Sequence, residues 1–355
     1  MRAAVLSGGR FSIESLADPV PGKGSVLVRP LRCGICGSDL HARHHAHAIS
    51  TLLHRAGFRG FMNPGEPVVM GHEFVCEILD YGPETRRSLA RGTRVVGLPF
   101  TFRNDAIHLL GYSNEINGAF AETMTLKEDE IFEVPGHVPT EVAALCEPAA
   151  VAVHAVNAAG VGADCAFAVY GCGPIGLLVI ARLRHLGFGS IIAIDPDPTR
   201  REHALRLGVD QAIAPSEIVR LWWEGQGAPV GMSDAAARRV MGKTAKRPVI
   251  FECAGAPGLI RSIAEEAPVG AAIVGVGVCM EPDEFEPALM MQKEQSIRFV
   301  CAYSAGEFLQ ALDMLSLDPD LFASFITKEV ELEDVEKAFS LLEGRNNQVK
   351  ILLRI

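Results

Sequence analysis

The sequence predicts an α/β protein made of a β-rich domain and a second domain built on a doubly wound parallel sheet. Three observations carry that prediction. The first third reads as short strand-like runs bounded by Gly and Pro. From about Ala149 the apolar runs lose their alternation, which suits parallel strands buried on both faces. Those runs then alternate with helical patterns, and the first leads directly into Gly171-Cys172-Gly173-Pro174-Ile175-Gly176. At 355 residues the chain exceeds one ordinary core, so two domains are expected. The expected limits are 1–148 with 297–355 for the first domain and 149–296 for the second, which makes the second an insertion.

In the first part, Ser25–Leu31, Phe74–Asp80 and Gly92–Gly97 have strand composition. The spacing of His41, His44 and His45 suits one helical face. A second metal site there is one alternative; a solvated helix or a lid is the expected one. In the second part, Cys165–Tyr170 reads as a buried strand and Leu177–Leu186 as a helix ended by Gly187. Ser190–Ile194 is the next strand, and Thr199–Leu207 a charged helix with Gly208 at its C-cap. Glu217–Arg247 reads as a helix, a loop and a second helix, Ser233–Met241, with Trp222 and Trp223 packed on the sheet. Strands at Pro248–Glu252 and Ala271–Val276 complete the series. The tail returns to mixed structure: helices to Leu317 and over Leu332–Leu342, then a closing strand, Val349–Leu353.

Composition sets limits on function. Apolar residues make up 48% and charged residues 21%, an ordinary globular balance. A net charge of −10 argues against a basic nucleic-acid-binding face. The opening apolar run, Met1–Leu6, is too short for a signal-peptide core, and no stretch nears the ~20 apolar residues that span a bilayer. The cytoplasm is the expected location, with no membrane partner. There the nine cysteines are expected as thiols or metal ligands. Cys76, Cys279 and Cys301 lie in apolar runs and read as small core residues, whereas Cys33, Cys36 and Cys146 have polar neighbours.

The glycine-rich stretch fits a dinucleotide site because it follows a strand and opens a helix. Gly171 makes the tight turn, Gly173 lets the backbone approach the pyrophosphate, and Gly176 lets helix pack on strand. The helix N-terminus at Pro174 and Ile175 presents free N–H groups to the phosphates. Asp195, 19 residues after Gly176, is placed to bind the ribose hydroxyls and to repel a 2′-phosphate, so NAD is expected over NADP. Arg200 is a further candidate at the cofactor, as are Val274 and Val276 at the end of their strand.

Cys33-Gly34-Ile35-Cys36-Gly37-Ser38-Asp39-Leu40-His41 packs thiols, a hydroxyl, a carboxylate and an imidazole into nine residues. Gly71-His72-Glu73 and Glu147 offer further ligands. Thiolate and imidazole suit zinc, and three protein ligands leave it an open position for a substrate oxygen. The expectation is one catalytic zinc. Cys33 and Cys36 also form C-x-x-C, a redox motif elsewhere, but the surrounding β-rich context disfavours that reading.

Cys36–His41, Gly71-His72-Glu73, Glu147-Pro148 and the late glycine-rich loop together resemble the zinc-dependent medium-chain dehydrogenase/reductase family, nearest its sorbitol and threonine dehydrogenase branch. The resemblance covers nearly the whole chain. It implies a GroES-like catalytic domain and a Rossmann coenzyme domain. It also implies that Cys36 and His72 hold zinc, with Glu147 at the third position and Glu73 binding directly or exchanging on and off. By the same resemblance Asp39 orients His72, Ser38 and His41 relay the substrate proton, and Lys350 reaches the pyrophosphate. The implied reaction moves a hydride between a secondary alcohol or polyol and NAD(H) through a zinc-bound alkoxide. The implied partners are a small alcohol or carbonyl substrate and further copies of the chain, in a dimer or tetramer.

Two departures concern the substrate. No cysteine lies between Cys76 and Cys146, so the family's structural zinc lobe is expected to be absent, replaced by Pro99–Gly118 with Phe100, Phe102, Arg103, Asn104, His108 and Tyr112. Cys36 and His72 stand 36 positions apart, longer than the family pattern, and the extra residues, including Phe58–Met62, are expected to wall the substrate pocket. Two rival functions remain on the same fold: a zinc-independent, NADP-linked quinone or alkene reductase, and a non-catalytic NAD-binding protein.

Overall fold

The computed structural model describes every residue except 104–105, 216–217 and 345–346. Asn104 and Glu217, two positions singled out in the sequence, therefore lie outside the described residues. The chain divides into two compact units, Met1–Glu147 with Phe308–Ile355, and Pro148–Glu307. No described helix is long and apolar enough to cross a membrane.

The first unit opens with a hairpin, β1 (Arg2–Ser7) and β2 (Arg10–Ser15), turned at Gly8 and Gly9. Both glycines take positive φ, the requirement of the tightest hairpin turn. Next come β3 (Ser25–Gly34) and α1 (Gly37–Arg55), whose backbone departs from helical geometry at His45. β4 (Val68–Val69), β5 (Glu73–Tyr81), β6 (Arg94–Gly97), β7 (Phe100–Arg103), β8 (Ala106–Leu109), β9 (Met124–Lys127) and β10 (Ile131–Glu133) follow. β7 and β8 pair antiparallel within Pro99–Gly118, the stretch expected to stand in place of a structural zinc lobe. Two helices, α2 (Thr140–Ala143) and α3 (Cys146–Ala158), lead out of this part.

The second unit alternates strand and helix. Its order is β11 (Cys165–Tyr170), α4 (Pro174–His185), β12 (Ile191–Ile194), α5 (Pro198–Arg206), β13 (Gln211–Ile213), α6 (Val219–Gly225), α7 (Met232–Val240), β14 (Arg247–Glu252), α8 (Leu259–Glu266), β15 (Ala272–Gly275), α9 (Pro287–Gln292) and β16 (Ser296–Phe299). The strands pair in parallel in the order β13-β12-β11-β14-β15-β16, the doubly wound arrangement whose ligands sit beyond the carboxyl ends of the strands. All six residues of β11 are buried, which is why its sequence shows no alternation. Trp223 is fully buried and Trp222 nearly so, in one core with Ile192, Ile250 and Ile273, so the twin tryptophans pack the sheet. The expected boundary at 296 is corrected: β16 pairs with β15, and the unit runs on to Glu307.

From there α10 (Ala305–Leu317), α11 (Pro319–Ala323), β17 (Ile326–Glu331), α12 (Val335–Leu342) and β18 (Lys350–Arg354) complete the chain. β18 joins the first unit's main sheet, ordered β10-β6-β5-β3-β18-β17. Its register sets Leu352 opposite Gly34 of β3, while Glu73 of β5 faces Gly34 from the other side. Three distant stretches thus meet around one glycine. The cysteine expectations need a correction too. Cys76 is fully buried, but Cys279 is half-buried and Cys301 exposed, because both follow strands β15 and β16 into loops.

Candidate metal and nucleotide sites

Cys36, His72 and Glu73 each offer a ligand atom, and the three atoms lie within 4.8 Å of one another. Among the described residues this is the group of three or more such donors that converges. The local sequence explains how. Cys36 is the N-cap of α1, immediately after β3, and His72 precedes the strand β5 that pairs with β3. Gly71 at φ +100° turns the chain into His72, against the Phe120 ring. A thiolate, an imidazole and a carboxylate form a donor set that fits zinc.

Asp39 links these pieces. Its Oδ2 accepts the Cys36 backbone N–H at 2.9 Å, closing the first turn of α1. Its Oδ1 lies 3.3 Å from His72 Nδ1 and accepts the Tyr112 hydroxyl at 2.7 Å. The side chain is fully buried. Burial alone would raise its pKa, but the His72 ring and the N–H and O–H donors outweigh that and hold it below the usual carboxylate value. For His72 burial acts downward, yet Asp39 and then Cys36 push its pKa well above the ordinary value in the metal-free chain. With Nδ1 facing Asp39, Nε2 remains for a metal, the usual division of labour for a ligand histidine.

Glu73 is bound differently from the way its motif suggests. Its Oε2 forms an ion pair with Lys350 Nζ, and both side chains are shut away from solvent. Lys350 also donates to the Ile35 carbonyl at 3.0 Å. The ammonium that the resemblance directs to the pyrophosphate is thus held inside the first unit by Glu73 and the Ile35 carbonyl, with one of its three N–H groups left over. Burial would lower its pKa, but Glu73, Cys36 and Glu147 together raise it. Glu147 is half-buried, near enough to act on Lys350, yet outside the converging group. A Cβ on Gly34 would fall 2.1 Å from Glu73 Oε2, so this position must be glycine for the pair to form.

Ser38 lies in the first turn of α1, and His41 is half-buried one turn on. The other α1 histidines do not join the metal group; His44 Nε2 instead lies 2.8 Å from Glu343 Oε1. Cys33 is fully buried, its thiol pushed well up first by burial and then by Asp39 and Glu73, which makes it a poor redox partner for Cys36. Tyr112 is the residue whose place the sequence could not indicate. Its oxygen is 2.9 Å from Ser38 Oγ, and its ring lies 5.1 Å from that of His72 and 5.6 Å from that of Phe61.

In the second unit the three glycines differ in surroundings. Gly171 has φ +92° and lies against Ala254; a Cβ on Gly176 would strike the Gly171 carbonyl at 1.8 Å. A Cβ on Gly173 would meet nothing within 4 Å, leaving open space at the N-terminus of α4, where Pro174 and Ile175 begin the helix. Asp195 is buried at the end of β12, its Oδ2 accepting the Cys172 N–H at 2.7 Å and its Oδ1 the Asp197 N–H at 2.8 Å. Each oxygen keeps acceptor capacity for a hydroxyl. The Arg200 backbone N–H caps onto Asp197, and its charge lowers the Cys172 thiol pKa, though burial lifts that thiol to about 12. Val274 is buried in β15, and the Val276 N–H donates to the Glu252 carbonyl.

Residues 22–136 match the alcohol dehydrogenase GroES-like domain family, and residues 174–316 match the zinc-binding dehydrogenase family. The chain is 30% identical over 352 residues to (R,R)-butanediol dehydrogenase of Bacillus subtilis, covering 96% of each. The chain belongs to the zinc-type medium-chain dehydrogenase family. It is also 29% identical over 363 residues to L-threonine 3-dehydrogenase of Saccharopolyspora erythraea, covering 95% of this chain and 96% of the relative. The crystal structure of 2R,3R-butanediol dehydrogenase from Bacillus subtilis matches 100% of this chain and 99% of its own, with a TM-score of 0.79 at 28% identity. As a medium-chain dehydrogenase, the protein pairs a GroES-like domain with a Rossmann-type parallel sheet, as its sequence predicts, and is an oxidoreductase acting on alcohols.

Proposed function

We propose that the protein is an NAD-linked, zinc-dependent dehydrogenase that moves a hydride between a secondary alcohol or polyol and the nicotinamide. The observation that carries this reading is the convergence of Cys36, His72 and Glu73 with Asp39 behind the histidine. Cys36 and His72 would hold the zinc, with a carboxylate from Glu73 or Glu147 as the third protein ligand. The Glu73–Lys350 pair favours Glu147 for that place at rest, since one Glu73 oxygen is already occupied. Zinc at these donors supplies a Lewis acid that polarises a hydroxyl oxygen and lowers its pKa toward neutrality.

The chain's own residues supply the rest. Asp39 fixes the tautomer and orientation of His72. Ser38 accepts the substrate proton, and His41, one turn on, takes it onward. Gly173 leaves room for the pyrophosphate, and the N-terminus of α4 faces it with free N–H groups. Asp195 binds the ribose hydroxyls and disfavours a 2′-phosphate. Association into a dimer or tetramer belongs to the same proposal.

The test is turnover of a panel of secondary alcohols and polyols with NAD and with NADP, alongside metal analysis. The expected result is one zinc per chain, activity lost to chelator and restored by zinc, and preference for NAD. Full turnover by zinc-free protein would remove the metal from the mechanism, and preference for NADP would overturn the cofactor assignment.

A further inference from the structure

His44, His45, His47 and His54 follow His41 on α1, and the proposed chemistry uses none of them. They hold no metal group either, because the converging donors among the described residues are Cys36, His72 and Glu73. His45 stands out on two counts. Its ring lies 6.4 Å from that of His41, centroid to centroid, four residues on along the same helical face. Its backbone, at φ −128° and ψ 24°, leaves helical geometry and kinks α1. Irregular backbone of this kind costs energy to hold and collects at functional sites.

The two rings differ in their surroundings. His41 is half-buried and His45 exposed. Burial lowers the His41 pKa, and nearby His45 lowers it further, since two imidazolium charges repel. A proton on His41 is therefore worse placed than one on a ring in water. Beyond His45 the His44 ring lies 6.4 Å away, with its Nε2 2.8 Å from Glu343 Oε1, so a carboxylate stands on the outward side. The neighbouring cation, Arg43, is engaged by Glu336, Glu343 and the Gly9 carbonyl.

We propose that His45 takes the substrate proton from His41 and delivers it to solvent, so that the route runs Ser38, His41, His45. The proposal rests on the reading that Ser38 and His41 carry that proton. The step moves one proton and no electrons: an N–H bond breaks on His41, one forms on His45, and water takes the proton from there. With 6.4 Å between ring centres, the transfer passes through one bridging water.

The experiment mixes zinc-loaded enzyme and NAD with butan-2-ol by stopped flow in weak buffer, reading NADH by absorbance and released protons with a pH indicator. Wild type, His45→Gln, His45→Asn, His41→Gln and His47→Gln are compared, with zinc content and thermal unfolding recorded for each. In wild type, proton release is expected to keep pace with NADH. In both His45 variants the first NADH should form at the wild-type rate, since His41 can hold one proton. Release should then lag about tenfold, less than the ~100-fold of a fully positioned acid–base group because half-buried His41 still meets water. Dilute imidazole should restore the pace of release, and an equal concentration of a bulky buffer should not. His47→Gln removes an exposed imidazole that is neither three nor four residues from His41, and should match wild type. A merely structural role for His45 would show as zinc loss or an earlier melt that imidazole does not repair.

Release in step with NADH in both His45 variants, while His41→Gln slows it, would overturn the proposal and leave the proposed function standing. A lag in His47→Gln as large as in His45→Gln would reduce the effect to general buffering by the helix and overturn it too. If no variant slowed release, His41→Gln included, the route through Ser38 and His41 would fail and the proposal with it.

Discussion

Lys350 and Glu73 form an ion pair with side chains only 2% and 1% exposed, joined across Gly34 from two strands of one sheet. Neither charge has water to turn to. Removing one partner of such a pair strands the other in a low-dielectric interior, at a cost of about 3–5 kcal/mol. Lys350→Met is therefore expected to lower the urea midpoint by an amount corresponding to that range. Adding Glu73→Gln removes the stranded charge and should recover part of the loss. A double variant no more stable than Lys350→Met alone would show that the two charges do not depend on one another.

The second relationship concerns Asp39, whose two oxygens serve Cys36, His72 and Tyr112. Asp39→Asn keeps the shape but removes the charge and half the acceptor capacity. Loss of a carboxylate behind a ligand histidine typically weakens metal binding by about 10–100-fold. Competition against a chromogenic chelator is expected to show a loss of that size, with a correctly folded far-ultraviolet spectrum. Zinc affinity equal to wild type would mean that His72 needs no orienting partner.

Much of this was legible in the residues themselves. The buried strand β11, the glycine turn and Asp195 announce the parallel sheet because each meets a local demand of backbone or burial. Cys36, His72 and Glu73 were legible because metal ligands restrict residue type so narrowly. Other features left no such mark. α3 is an Ala/Val run with little polar face, since Ala149, Ala150, Ala152, Val153, Ala155 and Val156 are all buried, so no helical period shows. The hairpin β1–β2 carried its signal in Gly8-Gly9, a turn easily passed over beside so short a strand. β16 is short, with Phe299 largely exposed, and the domain limit was misplaced there. Tyr112 and Ser38 are 74 positions apart, and Lys350 is further still from Glu73; no spacing rule reaches that far.

A pH-dependent contribution to stability sits in the second unit at Glu307. Burial acts to raise its pKa, but the Ser304 N–H, then His154 and the Ser304 and Asn157 side chains, bring it down from 4.5 to about 2. His154 Nδ1 lies 3.1 Å from it. A depressed carboxylate stabilises the fold above its unfolded pKa, and that contribution is lost as pH falls toward the folded one. Between pH 4.5 and about 2, wild type should lose stability that Glu307→Gln does not. Allowing for solvent screening, the difference is about 1–2 kcal/mol. Parallel acid-unfolding curves for the two proteins would remove Glu307 from the account.

The glycine loop gives a contrast between two substitutions three residues apart. A Cβ at Gly173, where φ is −72°, meets nothing within 4 Å, so Gly173→Ala should leave unfolding stability within about 0.5 kcal/mol of wild type. It would nevertheless occupy the space through which a pyrophosphate approaches the backbone, and NAD affinity is expected to fall at least about 10-fold. At Gly176 the same methyl group would sit 1.8 Å from the Gly171 carbonyl oxygen, a contact only backbone movement relieves. Gly176→Ala should therefore lose stability as well, by about 1–3 kcal/mol, the usual cost of overpacking. Thermal unfolding with and without NAD separates the two: Gly173→Ala keeps its unmodified melting temperature but loses the shift with NAD, whereas Gly176→Ala melts early in both. NAD binding by Gly173→Ala at wild-type strength would place the phosphates elsewhere.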